Sequence, residues 1–99
     1  MRRVTIFFAA FAVAAVLAVP AFAATTKSVN WTFGAHNVSI KKNDSVKWTW
    51  SGFRHNLYGT GISQGNSNAG TATRKFTAKG KFTYTCTLHA GMKSVVTVS

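Results

Sequence analysis

Acidic residues, cysteine and proline are all scarce in this chain of 99 residues. Asp44 is the only acidic residue, against twelve lysines and arginines. A single carboxylate cannot form the paired acid and base that catalysis by carboxyl groups requires, so an enzyme is not expected. Cys86 is the only cysteine, which excludes an intramolecular disulfide. Beyond the N-terminal segment the sequence also lacks the hydrophobic periodicity of helices.

The N-terminal segment has the three parts of a secretory signal peptide. Two arginines precede an apolar stretch at residues 4–19, and the only proline is followed by the small-x-small cleavage site Ala21-Phe22-Ala23. A membrane anchor is the alternative, but sixteen apolar residues are fewer than the about 20 that span a bilayer. We therefore predict a signal peptide at residues 1–23. Its removal would leave a protein exported to the periplasm or the exterior, without stable membrane insertion.

The remaining residues, 24–99, are predicted to form one small domain with a large positive charge. Removing two arginines from twelve basic residues leaves ten, and subtracting Asp44 gives a formal charge of 10 − 1 = +9. Such a charge steers association towards acidic partners, and this effect falls as the salt concentration rises. Solubility alone is the alternative explanation of the charge.

Hydrophobic residues alternate with polar ones in five short runs, which is the pattern of half-buried strands. The runs are Val29/Trp31/Phe33, Val38/Ile40, Val46/Trp48/Trp50, Phe82/Tyr84/Cys86 and Val96/Val98. Residues 54–58 and 71–77 are predicted as further strands, which makes about seven. Residues 59–70 lack the Lys-Ser/Thr ending of a phosphate-binding loop and are predicted to form a flexible loop. The whole pattern predicts an all-β fold, an antiparallel sandwich or barrel.

Three residues that can bind a metal lie at intervals of three near the C-terminus. Cys86 offers a thiolate, His89 an imidazole and Met92 a thioether. A soft sulfur, a nitrogen and a weak second sulfur suit a copper ion that cycles between Cu(I) and Cu(II). One more ligand has to come from elsewhere in the fold, and His55 is the candidate. The sequence thus predicts a mononuclear copper site.

The residues around these ligands resemble the cupredoxins, the type 1 or blue copper proteins that include plastocyanin and amicyanin. The resemblance covers residues 29–99, and the segments that carry it are Val46-Lys47-Trp48, His55-Asn56 and Gly80-Lys81-Phe82-Thr83-Tyr84-Thr85-Cys86 with the ligand loop that follows. It implies an antiparallel Greek-key β-sandwich that holds one type 1 copper ion. The ligands that it implies are His55, Cys86, His89 and Met92.

The resemblance also gives a role to a neighbour of the ligands. Asn56 would hydrogen-bond to the cysteine segment and hold the two ligand loops together, as contacts behind metal ligands commonly do. Arg54 and Leu88 stand where the family often has proline. His36 is a further histidine, far in sequence from the ligand loop. It is predicted to be exposed and not a ligand, because the ligand set is complete without it.

One-electron transfer is the first function that these features predict. The expected partner is a redox protein with an acidic patch, such as a cytochrome or a membrane complex, and the protein itself is expected to be a monomer. Periplasmic copper binding and delivery without redox turnover is the alternative, because the same four ligands would serve it. A carrier of copper must release the metal, whereas a carrier of electrons keeps it, so the exchange rate would distinguish the two.

Nucleic-acid binding is a third possibility, based on charge and aromatic residues. Val46-Lys47-Trp48 followed by Phe53 resembles a cold-shock strand, and three tryptophans with a charge of +9 would suit a single-stranded platform. The run of aromatic residues that such a platform needs is missing after Phe53, and export would remove the target. No nucleic-acid partner is therefore expected.

Overall fold

A computed structural model describes residues 23–99, and all regular structure within this range is β-strand. The predicted signal peptide lies outside the described residues except for Ala23. The strands are β1 Thr26–Asn30, β2 Val38–Ile40, β3 Ser45–Gly59, β4 Ile62–Lys75, β5 Gly80–Thr85 and β6 Lys93–Val98. The all-β prediction is confirmed, with six strands in place of about seven. No helix among the described residues is long and apolar enough to cross a membrane.

The strands pair in the order β1-β3-β5-β6-β2, and β4 pairs with β3. The β3–β4, β3–β5 and β5–β6 pairs are antiparallel, as the sequence pattern predicts. The β1–β3 and β2–β6 pairs are parallel, which hydrophobic alternation alone cannot distinguish from antiparallel pairing. The parallel pairs place the N-terminal strands at the two ends of the order, so the mixed sheet closes around one core.

Strand β3 is long because two predicted segments are continuous. Its first part, residues 45–51, pairs with both β1 and β4, whereas Tyr58 and Gly59 pair with β5. Register shifts on both sides of His55 mark β-bulges, which bend a strand and increase its twist. The predicted strand at residues 54–58 is thus the second part of β3, so one strand links β1, at one end of the pairing order, to β5.

The prediction of a flexible loop at residues 59–70 is wrong. Only a tight turn separates β3 from β4, and β4 starts at Ile62 and continues into the segment predicted as the strand 71–77, where it ends at Lys75. The glycines that suggested a loop allow close packing inside the hairpin. A Cβ added at Gly70 would overlap the ring of Trp50, which is its cross-strand partner. Glycine in a strand commonly marks such a close approach.

The core contains the aromatic residues that alternate along the strands. All three tryptophans are buried, and Trp48 packs on Tyr84 with ring centroids 4.9 Å apart. The buried apolar residues are Val29, Trp31, Ile40, Val46, Trp48, Trp50, Leu57, Phe76, Tyr84, Cys86, Met92, Val96 and Val98. A tryptophan platform for nucleic acid is therefore absent from the surface of residues 23–99. The predicted strand through Phe33 is also wrong, because β1 ends at Asn30 and the Phe33 side chain is 52% exposed.

Candidate metal centre

The cysteine reaches the interior through the alternation of β5. Tyr84 points into the core, Thr85 ends the strand facing outwards, and Cys86 returns to the inward side with only 4% of its surface exposed. The period of two in a strand thus directs the thiol into the core. Cys86 is a free cysteine in this structure.

The first histidine reaches the same point because β3 is irregular. His55, Asn56 and Leu57 are three consecutive buried residues, an arrangement that regular alternation cannot produce. The register shifts on either side of His55 provide it. Gly52 lies within the first of them, between Ser51 and His55, and has a φ of +89°, a conformation that favours glycine. Bulges next to functional sites commonly redirect a side chain in this way.

Three of the predicted ligands converge on one point. The ligand atoms of His55, Cys86 and His89 all lie within 4.8 Å of one another. Among residues 23–99 this is the one cluster of three histidine, cysteine or acidic residues close enough to share a metal ion. The two histidine Nδ1 atoms are 3.2 Å apart, and Cys86 Sγ is 3.5 Å from His89 Nδ1. Metal bonds of about 2.0–2.3 Å in a trigonal plane would separate such atoms by roughly 3.5–3.8 Å. The donor set therefore fits a copper ion bound by two imidazoles and a thiolate, and the two histidine nitrogens would have to separate by only about 0.3 Å to reach this spacing.

The segment from Cys86 to Met92 is a closed loop. The Cys86 amide donates to the Met92 carbonyl at 3.1 Å, and the Met92 amide donates to the His89 carbonyl at 3.3 Å. Gly91 supplies the positive φ of +78° that the turn before Met92 needs. The Met92 side chain is 1% exposed, so its thioether is buried within the loop that carries the cysteine and the second histidine.

Asn56 connects the two ligand segments by hydrogen bonds on both sides of its amide. Its Oδ1 accepts from the Thr87 backbone amide at 2.8 Å, and its Nδ2 donates to Thr87 Oγ1 at 2.7 Å. The same Nδ2 donates to Asn66 Oδ1 of β4 at 2.8 Å. The Asn56 carbonyl also accepts from the buried indole of Trp31. His55 and Cys86 are each adjacent in sequence to a residue of this network, which therefore fixes their separation.

The pKa of His55 is lowered from its ordinary value, first because burial disfavours the charged imidazole and second because His89 lies beside it. A neutral imidazole has a free lone pair, which is the form that binds a metal. The site thus keeps His55 ready for coordination at neutral pH without competition from a proton.

An aromatic residue that the sequence did not indicate covers the two histidines. The Phe33 ring centroid lies 4.8 Å from that of His89 and 5.3 Å from that of His55, with edge-to-face geometry at both. Phe53 packs on Phe33 at 5.4 Å, and Leu88 is 44% exposed beside His89. No local signal near Phe33 predicts this contact, because it depends on how the β1–β2 connection folds over the site.

His36 lies outside the ligand group. The residue is half-buried where exposure was predicted, and its Nε2 lies 2.9 Å from the carbonyl and 3.1 Å from the hydroxyl of Thr32. Its ring is tilted against Trp31 with centroids 5.8 Å apart. These contacts hold the His36 side chain against residues of the β1–β2 connection, so its role there is structural.

Comparison with known proteins gives a family and a fold. The sequence model of a family described as copper binding proteins, plastocyanin/azurin family, matches residues 20–99. An oxidised mutant of amicyanin has a similar structure, with a TM-score of 0.62 and 21% identity over 75% of this chain and 82% of that one. The reduced Cu(I) form of another amicyanin mutant at pH 4 gives a TM-score of 0.58 and 21% identity over 81% of this chain and 86% of that one. No curated protein sequence matches the chain.

Proposed function

The chain belongs to the plastocyanin/azurin family of copper-binding proteins, and we propose that it carries single electrons through one type 1 copper ion. The ligands would be His55, Cys86, His89 and Met92. The observation that carries the proposal is the convergence of two imidazoles and the only thiol of the chain at a buried point. Copper bound in such a site accepts and releases one electron with little change in coordination.

The protein residues would hold this geometry in both oxidation states. His55 is fixed by the bulged strand β3, and Asn56 fixes its distance from the cysteine segment. Phe33 packs edge-to-face on both histidines and would shield them from water on one side, and Met92 is buried with 1% of its surface exposed. Because the ligands come from two separate parts of the chain, the folded sandwich determines the geometry before a metal arrives.

His89 would be the route by which electrons enter and leave. It is the least buried of the three convergent residues and lies among the exposed side chains of Phe33, Phe53 and Leu88. Arg54 precedes His55 in the chain and is exposed next to this apolar surface. An apolar centre with a basic residue at its rim fits a redox partner whose docking surface is apolar with an acidic residue at its edge. We propose a monomer, exported after removal of residues 1–23.

Substitution of the proposed ligands tests the site directly. Copper added to the purified apoprotein should give an intense thiolate-to-copper absorption, and Cys86→Ser should abolish it and weaken copper binding. Met92→Leu should keep the colour and mainly change the reduction potential, because the axial bond is weak. His36→Ala is the matched control and should leave the spectrum unchanged. An intense band that survives Cys86→Ser would contradict the assignment.

The partner proposal has its own measurement. The rate of electron transfer to an acidic cytochrome should fall steeply as ionic strength rises through about 0.1 M, where the Debye length is about 10 Å. Arg54→Gln should lower the rate at low salt and flatten the salt dependence. A rate that does not respond to salt would assign the charge to solubility.

A further inference from the structure

Six of the ten basic residues of the domain lie at one end of the sandwich, which we call the lysine pole. Its members are Lys27, Lys41, Lys42, Lys75, Lys79 and Lys81, all exposed. Backbone contacts bring their segments together from distant parts of the sequence. The Lys42 amide donates to the Ser99 carbonyl, and Lys75 is paired with Ser45.

The remaining members of the pole are tied to the same end. The amide of Ser45 donates to the carbonyl of Thr25, two residues before Lys27, and Gly80, between Lys79 and Lys81, is paired with Val98 near the end of β6. The pole is therefore a feature of the fold that no single stretch of the sequence contains.

The lysine pole is opposite the metal centre. Strand β5 starts at the pole with Gly80 and ends at Thr85, directly before Cys86. Strand β3 likewise starts at Ser45 beside the pole and leads towards His55. At about 3.3 Å per residue, the five steps from Lys81 to Cys86 span roughly 17 Å. A partner bound at the pole would thus face away from the copper ligands.

The charge of the pole is almost uncompensated. Asp44 is the only acidic side chain of the sequence, and both of its oxygens accept backbone amides, from Thr25 at 2.9 Å and from Lys41 at 3.1 Å. Its carboxylate therefore holds the polypeptide together at this end. If the chain is cleaved after Ala23, the new amino group at Ala24 would add a further positive charge beside Thr25.

The composition of the pole favours a lipid surface over a protein partner. Protein interfaces have an apolar centre and are poor in lysine, whereas the exposed large apolar residues are elsewhere: Phe33, Phe53 and Leu88 surround the metal centre. All six basic residues of the pole are lysines, which act as mobile point charges and lack the fixed geometry with which arginine recognises a partner. Clusters of four to eight basic residues are typical of proteins that adsorb to anionic lipids.

We propose that the lysine pole adsorbs reversibly to an anionic phospholipid surface and leaves the metal centre facing away from the membrane. The position of Ala23 supports this orientation. Ala23, the last residue of the predicted signal peptide, lines the same surface pocket as Lys27, Lys41 and Lys42, so an uncleaved signal peptide would hold this end at the membrane. After cleavage the lysines alone would maintain the contact, so adsorption should weaken as salt rises.

Sedimentation with vesicles tests the proposal on the copper-loaded protein without its signal peptide. Vesicles of phosphatidylcholine with phosphatidylglycerol should bind the protein at low salt, and vesicles of phosphatidylcholine alone should not. The variant Lys42→Gln/Lys79→Gln should bind about 25-fold more weakly, since each lysine at an anionic surface contributes roughly a fivefold factor. The matched control Arg54→Gln/Lys93→Gln removes the same charge at the end of the metal centre. It should stay within about threefold of the wild type at about 0.1 M salt, where the Debye length is about 10 Å.

The outcomes separate this proposal from electron transfer, because sedimentation does not depend on redox activity. Equal losses in the two double variants would overturn it and leave only an effect of net charge. Absence of binding to the anionic vesicles at low salt would also overturn it. A pole variant that binds vesicles normally but loses electron transfer with an acidic redox protein would assign the pole to a protein partner instead.

Discussion

Asn56 shows at the scale of one residue how the fold prepares a metal site. Its side-chain amide makes three hydrogen bonds, two to Thr87 in the cysteine segment and one to Asn66 on β4. The residue is 2% exposed, so these groups cannot turn to water if a partner is lost. A buried amide with both of its ends satisfied holds the two ligand segments at one separation.

Replacement of Asn56 should therefore affect stability and the metal together. Asn56→Ala removes three hydrogen bonds and leaves the Thr87 amide unpaired, which should lower the free energy of unfolding by about 2–4 kcal/mol. The reduction potential should also shift, because the distance between His55 and Cys86 is no longer fixed. Denaturant unfolding and voltammetry of the copper-loaded protein measure the two effects. Asn66→Ala removes one of the bonds and is the control, and equal losses in both variants would contradict this role.

Phe33 gives a prediction about solvent access. Phe33→Leu removes the ring that packs edge-to-face on His89 and admits water to that side of the site. Water stabilises the more highly charged Cu(II) state, so the reduction potential should fall. The free energy of unfolding should change by less than about 1 kcal/mol, because half of the ring is already exposed.

The control for Phe33 is the ring that packs on it. The centroid of Phe53 lies 5.4 Å from that of Phe33 and 6.4 Å from that of His55, so Phe53→Leu should change the potential less. Voltammetry of the two variants side by side makes the comparison. A larger shift for Phe53→Leu than for Phe33→Leu would show that Phe33 does not shield the site.

At this scale the sequence predicts chemistry better than contacts. The intervals between Cys86, His89 and Met92 indicate a metal loop because they depend only on local spacing. The contacts of Phe33 and the bonds of Asn56 to β4 join residues far apart in the chain. They depend on the fold of the connection that carries Phe33 and on the position of β4, neither of which a local pattern contains.

The hairpin of β3 and β4 is the element that determines the shape of the domain. It pairs along most of both strands, with Ser45 opposite Lys75 at one end and Gly59 opposite Ile62 at the other. Trp50 lies across from Gly70, and its indole nitrogen donates to the Ser67 carbonyl at 2.9 Å. The Trp50 ring lies over Gly70, where the absence of a side chain leaves room for it.

A methyl group at Gly70 should therefore destabilise the hairpin. The Cβ of Gly70→Ala would overlap the Trp50 ring, and the required movement should cost about 1–3 kcal/mol. Gly65→Ala is the matched control on the same strand, where the nearest atom, Tyr58 Oη, would be 4.0 Å away. That variant should be neutral or up to about 1 kcal/mol more stable. Thermal unfolding measures the stability of both variants. Similar stabilities would show that the Trp50 ring moves aside at little cost.

The elements differ in how far the sequence predicts them. The run from Val46 to Trp50 is predicted correctly because its two faces differ sharply in burial. The first part of strand β4, residues 62–70, is missed because its residues are mostly small and polar, with none of them fully buried. Its glycines, which suggest a loop, are explained only by a ring on the neighbouring strand. A strand whose partner supplies the hydrophobic surface has no hydrophobic pattern of its own.

For the whole molecule, the scarcity of acidic side chains makes it simple to interpret how the free energy of unfolding changes at low pH. The pKa of Asp44 lies below its ordinary value because the Thr25 amide, and then the Lys41 amide, donate to the carboxylate. A lowered pKa in the folded state stabilises the protein above the ordinary pKa of about 3.9. This contribution is lost as the pH falls through the lower, folded-state value.

Asp44→Asn should accordingly reduce stability at neutral pH and make no difference in strong acid. The free energy of unfolding of the wild type should exceed that of the variant by a constant amount above about pH 5, and the two should converge as the pH falls through the lowered folded-state pKa of Asp44. Both proteins retain the metal ligands, so the titration of these ligands contributes equally to both. It therefore drops out of the difference between their free energies of unfolding. Urea unfolding at a series of pH values measures it. A difference that is constant down to pH 2 would mean that the charge of Asp44 plays no part.

The seven-residue loop from Cys86 to Met92 also has a kinetic consequence. Two backbone hydrogen bonds close it, and Asn56 holds it at one point, whereas His55 lies within strand β3 and is paired with Ser67 of β4. The loop can therefore open while the sandwich stays folded, so the Cys86 and Met92 amide protons should exchange with deuterium faster than that of Val96. Loop opening would then set the fastest rate at which a bound ion could escape, and hence how long one molecule keeps the same copper.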